Sequence, residues 1–289
     1  GEANNRGIEM NLEWRDKTES GFEYNVGVNM STIRNRMTKL NGGTPISDGP
    51  FRNGSMYLTY TNEGMPIGAF WGYKTDGLIQ TQEQLNAVKR ADFQPNAELG
   101  DVLFVDTNGD GKLDSSDRCM IGNPIPDIIY GINMGMAWKG FDLNLQFGGT
   151  IGNQIFNAMR YYTYFPNDIT NKDRALMNYW TPNNTNTDIP RLTATDVNDN
   201  DRFSDMYVEN GTYFRLRNAQ LGYTLPASLT QRIKLQKVRF YVSGQNLFTI
   251  SSYSGMDPEV GQSSSLSRGI DYGIYPQNIS FTGGINVTF

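Results

Sequence analysis

Histidine is missing from all 289 residues. Its absence removes Ser–His relays, His-ligated zinc and imidazole acid–base chemistry from anything this chain does by itself. Cysteine occurs once, as Cys119, so there is no internal disulfide and no thiolate cluster. A small buried hydrophobe is the expected role for it. Basic residues are also in deficit, 25 Lys and Arg against 30 Asp and Glu for a net charge of −5. No basic stripe of the kind that nucleic acid requires is therefore expected. No apolar run approaches the roughly 18 residues of a spanning helix, and the mean hydropathy is −0.52. That average does not exclude a membrane barrel, whose strands alternate and so average out as polar. The phosphate-loop, nucleophile-elbow and dinucleotide glycine motifs are all lacking. Carboxylates are plentiful but scattered, with no recognisable catalytic pair, so the chain is not read as an enzyme. It begins at Gly1-Glu2 without an initiator Met or a signal peptide, and so reads as processed or truncated.

What the sequence has in quantity is glycine, 31 residues, and aromatics, at 12%. Asparagine is almost as frequent as glycine, and both residues favour turns over helices. Several segments alternate apolar and polar residues with the period of a half-exposed strand. In 6–15, Ile8, Met10, Leu12 and Trp14 oppose Glu9, Asn11, Glu13 and Arg15. After a turn at 16–21, Phe22, Tyr24, Val26, Val28 and Met30 continue the pattern. A third strand covers 128–138, and Lys139-Gly140 turns it into Phe141, Leu143, Leu145 and Phe147. In 213–225 the phase slips, which predicts a bulge. Strands at 238–247 and 279–289 follow, the last carrying Ile279, Phe281, Ile285, Val287 and Phe289 on one face.

Seven strands result, and short links alternate with long ones. The short links are 16–21, 139–140 and 226–237; the long ones are 31–127, 148–212 and 248–278. An up-and-down sheet would place all the short turns at one end, as outer-membrane barrels place their periplasmic turns opposite long extracellular loops. Trp14, Phe22, Trp138, Phe141, Tyr223 and Phe289 lie at the short-turn end, where they would form an interfacial girdle. The expected fold is an all-β, antiparallel transmembrane β-barrel. A soluble β-sandwich, which also alternates, is the competing reading. Seven strands fall short of an even-numbered closed barrel, so the chain is expected to be the C-terminal part, residues 1–289, of a larger one. Segments 153–165 and 172–180 are expected to form short helices in the middle loop.

Residues 106–117 have the spacing of a calcium loop. Asp106, Asn108, Asp110, Asp114 and Asp117 supply oxygens at loop positions 1, 3, 5, 9 and 12. Gly111 allows the sharp turn at position 6, and Lys112 offers its carbonyl from position 7. Position 12 is Asp where a bidentate Glu is usual. A structural Ca²⁺ that stiffens the loop is expected; a metal-free, Asx-rich turn is the alternative.

A longer ordered set of segments surrounds this loop. It includes Glu63-Gly64-Met65-Pro66-Ile67-Gly68, Phe70-Trp71-Gly72-Tyr73-Lys74 and Asp76-Gly77. Gly100-Asp101, Asp117-Arg118, Ile121-Gly122-Asn123-Pro124-Ile125-Pro126, Tyr130-Gly131-Ile132-Asn133 and Lys139-Gly140-Phe141-Asp142-Leu143 follow. Further on come Trp180-Thr181-Pro182, Tyr213-Phe214-Arg215-Leu216-Arg217-Asn218 and Ser243-Gly244-Gln245-Asn246-Leu247-Phe248. Tyr253-Ser254-Gly255, Asp257-Pro258-Glu259 and the terminal Phe289 complete the set. Over essentially its whole length the chain resembles the C-terminal portion of SusC/RagA-type TonB-dependent transporters of Gram-negative outer membranes.

That resemblance implies a plugged barrel of about 22 strands, of which these would be the last seven. It implies active uptake of oligosaccharides or oligopeptides, a SusD-like surface lipoprotein as cap, and energy delivered by TonB–ExbB–ExbD through the N-terminal part. The remaining barrel, the plug and outer-membrane lipid would be its other partners. Substrate contact is placed at Tyr161, Tyr162, Tyr164 and Trp180 in the middle loop, whose rings suit stacking on sugars or peptide side chains. Packing within the loop, or against the lipoprotein, is the plainer reading of the same residues. Glu9, Glu13, Asn133 and Asp142 are read as a solvated lumen wall. A secreted, calcium-stabilised β-sandwich that binds glycans is the alternative function.

Overall fold

The structure is a computed structural model that describes residues 1–165, 170–261 and 264–289. The other positions of the loops 148–212 and 248–278 lie outside the described residues. Its largest element is one seven-stranded antiparallel sheet. In chain order the wall strands are Glu9–Lys17, Glu23–Thr32, Ile128–Trp138, Phe141–Ile151, Tyr213–Thr224, Lys237–Ser251 and Ser280–Thr288. Each pairs with the next, so the sheet is a pure up-and-down meander. Short turns gather at one end and long loops at the other. Lys139 and Gly140 both have positive φ, 49° and 86°, the backbone of a type I′ hairpin whose twist matches the strands it joins.

Register lines the side chains up in rows across the sheet. One row reads Leu12, Val28, Ile132, Phe147, Leu216, Phe248, and the next reads Trp14, Val26, Met134, Leu145, Ala219, Gly244, Phe281. Between them runs a polar row: Glu13, Gly27, Asn133, Gln146, Asn218, Gln245, Ser280. Lumen asparagines use the room that glycines leave. A Cβ on Gly135 would stand 2.2 Å from the Asn25 side chain, and one on Gly131 would stand 2.8 Å from Asn29.

The apolar face is the uncovered one. Leu12 and Trp14 are each 64% exposed and Phe281 is 78% exposed. A sandwich would bury this face against a second sheet. A wall facing hydrocarbon has nothing else to bury it against, and its polar face suits a wet interior. The sandwich expectation is therefore overturned. The aromatic end is present as expected, with Phe141 and Tyr223 rings 4.5 Å apart and Lys139 over Trp138.

Regular structure continues well into the long loops. The strand line of Glu23–Thr32 resumes as Arg34–Lys39, paired with Glu2–Arg6. Loop 31–127 contains a further sheet built from Ile46–Phe51, Met56–Thr61, Ala69–Gly72 and Cys119–Gly122. It also holds the helix Gln82–Arg90, started by a Thr81/Gln84 capping box. The expected helix over 153–165 is half strand: Gln154–Asn157 pairs with Val208–Asn210 and, in parallel, with Ile270–Asp271. Only Ala158–Tyr164 is helical. Buried neighbours on both edges of 154–157 outweigh its local preference. Within 172–180, Arg174–Asn178 forms a 3₁₀ turn.

Candidate functional site

The molecule's dry core lies in the loops, not in the wall. Phe51, Leu58 and Phe70 from the first long loop pack with Phe156, Tyr161, Phe203 and Tyr207 from the second and Ile270 from the third. A second cluster joins Tyr73, Leu78, Phe93, Val102 and Phe104 to Trp180. Apolar burial of this extent fixes all three outer loops as one body over the end of the sheet.

Polar networks tie that body together. Asp101 is fully buried; its Oδ1 accepts from Arg191 Nε at 2.6 Å and from Asn200 Nδ2 at 3.0 Å. Asn198 and Gln94 extend the network to the Val102 carbonyl. Arg215, only 2% exposed, does the same between wall and third loop. It donates to Asp257 at 2.6 Å, Glu259 at 2.8 Å and the Thr249 hydroxyl at 2.8 Å. Arg217 reaches the other oxygen of Glu259 at 3.1 Å. Residues 215 and 217 meet one loop because the ladder slips between Leu216 and Asn218, the bulge that the phase of 213–225 predicts. Burial raises the Asp257 carboxyl. The amides of Gln277 and Glu259 and the Arg215 guanidinium outweigh it and hold the group below the usual carboxylate range. The motifs at 213–218 and 257–259, scattered in sequence, are thus one anchor. Nothing in either segment alone announces the pairing.

On the polar face, Arg239 donates to Asp142 at 2.9 Å and to Gln220 at 3.0 Å, bridging three wall strands. Glu9, Glu13 and Asn133 occupy the polar rows as solvated wall positions.

The 106–117 loop folds on its own carboxylates. Asp106 accepts the amides of Gly109 at 2.6 Å and Gly111 at 2.8 Å. Asn108 accepts from Asp110 N, and Asp110 from Lys112 N. Asp114 caps the Ser115–Asp117 turn through Ser116 N, and that bond, with the Ser116 hydroxyl, holds its carboxyl below the usual carboxylate range. Asp117 is fully buried, with its two oxygens accepting from Thr107 N and Asp114 N. Among the described residues no three acidic or thiol side chains converge as a preformed metal cage.

Of the aromatic candidates, Tyr161 is 5% and Trp180 6% exposed. The Tyr161 hydroxyl donates to Asp201 at 2.9 Å and accepts from Arg52. Burial, then Asp201, pushes its ionisation well up. Trp180 Nε1 donates to Gln80 at 2.8 Å. Their rings sit in two different loop clusters, and Tyr162 and Tyr164 are half-buried beside the first. The four do not form one ring-lined cleft.

One group escaped the sequence reading. Tyr130, Phe147, Phe214 and Phe248 stack side by side at the long-loop end of the apolar face, with Phe147 and Phe214 at 5.1 Å. They form a second aromatic belt, opposite the first, and their parity along the strands was the available signal.

A meandering wall with one lipid-facing side, one wet side, aromatic belts at both ends and all long loops on one end is part of an outer-membrane β-barrel. No family model matches the chain. Relatives do. It is 36% identical over its whole length to TonB-dependent receptor P3 of Formosa agariphila, and 27% identical to TonB-dependent receptor SusC of Bacteroides thetaiotaomicron. It spans 29% and 27% of their respective lengths. A solved structure of the RagAB peptide transporter superposes on 99% of this chain and 29% of that one, with TM-score 0.75 and 24% identity. The same importer in its closed-closed state also gives 0.75. The chain belongs to the SusC/RagA-type TonB-dependent receptors of the outer membrane and corresponds to their C-terminal portion.

Proposed function

We propose that this chain supplies the last wall strands and outer loops of an active importer of nutrient oligomers, oligosaccharides or oligopeptides. In this reading a SusD-like lipoprotein caps the fused loops and TonB–ExbB–ExbD supplies energy through the preceding part of the receptor. The observation that carries it is the single folded body made by three outer loops, a broad platform on which a lid can seat. Passive pores need no such platform. Uptake of labelled substrate oligomer should stop on deleting the receptor, the cap or TonB; uptake that continues without TonB overturns the proposal.

The 106–117 loop is proposed to hold a structural Ca²⁺. Asp106, Asn108, Asp110, Asp114 and the Lys112 carbonyl supply hard oxygen donors, and each carboxylate oxygen bonded to an amide keeps a second lone pair. Asp117, tied to two amides, would close the site from its buried side. Saturation at about a hundred times Kd would stabilise the loop by roughly 2.7 kcal/mol. In the intact receptor, calcium should slow proteolysis between 101 and 122 relative to EDTA. Asp106→Ala with Asp110→Ala should abolish that difference, and equal cleavage of the unmodified protein in both conditions refutes the site.

A further inference from the structure

Beyond the sheet's outer end, the ribbon of Glu2–Arg6 and Arg34–Lys39 keeps the register of the wall. Arg6 stands opposite Arg34 and Asn4 opposite Arg36, just as Glu9 stands opposite Ser31. No residue is inserted at Gly7, so parity carries across it. Asn4, Arg6, Arg34 and Arg36 therefore follow the lipid-facing line of Trp14, Leu12, Met10 and Ile8. Exposure agrees: Arg34, Arg36 and Thr38 are exposed, while Met37 between them is buried. Like charges directly opposite on a ladder repel. No carboxylate among the described residues comes within ion-pair distance of any of the three arginines. They line one open concavity of about 770 Å³ with Asn4 and Asn123, and with Asp127, which pairs with none of them.

Height along the wall identifies the surroundings. At about 3.4 Å per residue and a tilt near 40°, Arg6 lies roughly 20 Å and Asn4 roughly 26 Å beyond Trp14. The apolar band of such barrels is about 25 Å tall. Starting from the Trp14 girdle, the arginines fall where hydrocarbon gives way to headgroups on the long-loop side. We propose that Arg6, Arg34 and Arg36 form an outward-facing site for the phosphate of an anionic lipid headgroup. Guanidinium forks match phosphate oxygens, and a bound phosphate removes the repulsion between Arg6 and Arg34. The inference rests on the membrane-spanning reading of the wall, whose failure would appear separately as a receptor soluble without detergent.

The test uses the intact receptor in detergent, titrated with dihexanoyl phosphatidylglycerol and followed by native mass spectrometry. Dihexanoyl phosphatidylcholine serves as the neutral control. Phosphatidylglycerol should bind in preference to phosphatidylcholine. Arg6→Gln, Arg34→Gln and Arg36→Gln should weaken it roughly fivefold each, and the triple variant about a hundredfold. Heat-modifiable gel mobility checks that the triple variant is folded; if it is not, the single variants and the triple Lys variant, which keeps the charge, decide. Equal binding by the unmodified and Gln proteins overturns the proposal, with the counter-charge then belonging to another part of the receptor. Inorganic phosphate that displaces the lipid at equal concentration also overturns it, by making this a free-anion site.

Discussion

Replacing Arg215 by alanine should release the third outer loop while leaving the wall in place. The substitution strands Asp257, which is 4% exposed, without its 2.6 Å partner. Removing one member of a buried pair costs about 3–5 kcal/mol, mostly the penalty of the orphaned charge. Glu259 loses one of its two arginines as well, so the loss concentrates on 252–260 and the neighbouring 270–278. Hydrogen exchange should rise there and stay unchanged in 128–151. Arg215→Met combined with Asp257→Asn should recover only part of the protection. It removes the buried charge, but an asparagine keeps one acceptor oxygen where the carboxylate uses one oxygen for the Gln277 amide and the other for the Glu259 amide. Acid should imitate the single substitution. The Asp257 carboxyl is depressed in the fold, so its contribution is complete above the unfolded value of about 3.9 and is lost as pH falls below it through the folded value. Protection that is insensitive to Arg215→Ala would show that apolar packing alone holds the loop.

Trp180→Ala should be as damaging to the first and second loops. The ring fills the cluster of Tyr73, Leu78, Phe93, Val102 and Phe104, and it rests on Gly100, where a Cβ would lie 2.2 Å from it. Emptying such a site costs about 3–5 kcal/mol, and Gln80 loses the indole N–H besides. Proteolysis should open 80–104 and 180–191 together, and Gly100→Ala should imitate it from the other side. Weakened substrate binding with unchanged protease resistance would instead assign the ring to the ligand.

Parity, turn chemistry and link length are local properties, and they sufficed for the wall. Alternation from Ile8 to Trp14, the Lys139-Gly140 turn and the phase slip near Leu216 each depend on a few adjacent residues. A strand's geometry needs no more than that. The same economy made the Asp106–Asp117 spacing legible, since all its donors lie within one loop. The loops resisted reading for the opposite reason. Arg215 and Asp257, Asp101 and Arg191, and Phe51 and Tyr161 are partners across 40 to more than 100 positions. Their residue types alone fit many pairings equally well. The stretch 154–157 became a strand only because Val208–Asn210 and Ile270–Asp271 arrived on either side of it. Sequence by itself determined that the chain forms a one-sided apolar wall with its long loops at one end, because every element of that is written at period two. Only tertiary structure decided that those loops are one packed body, that Tyr161 and Trp180 are buried in it with Tyr162 and Tyr164 half-buried beside them, and that Arg6, Arg34 and Arg36 lack a carboxylate partner among the described residues. Those outcomes depend on which distant surfaces meet, and burial energy, not local preference, selects them.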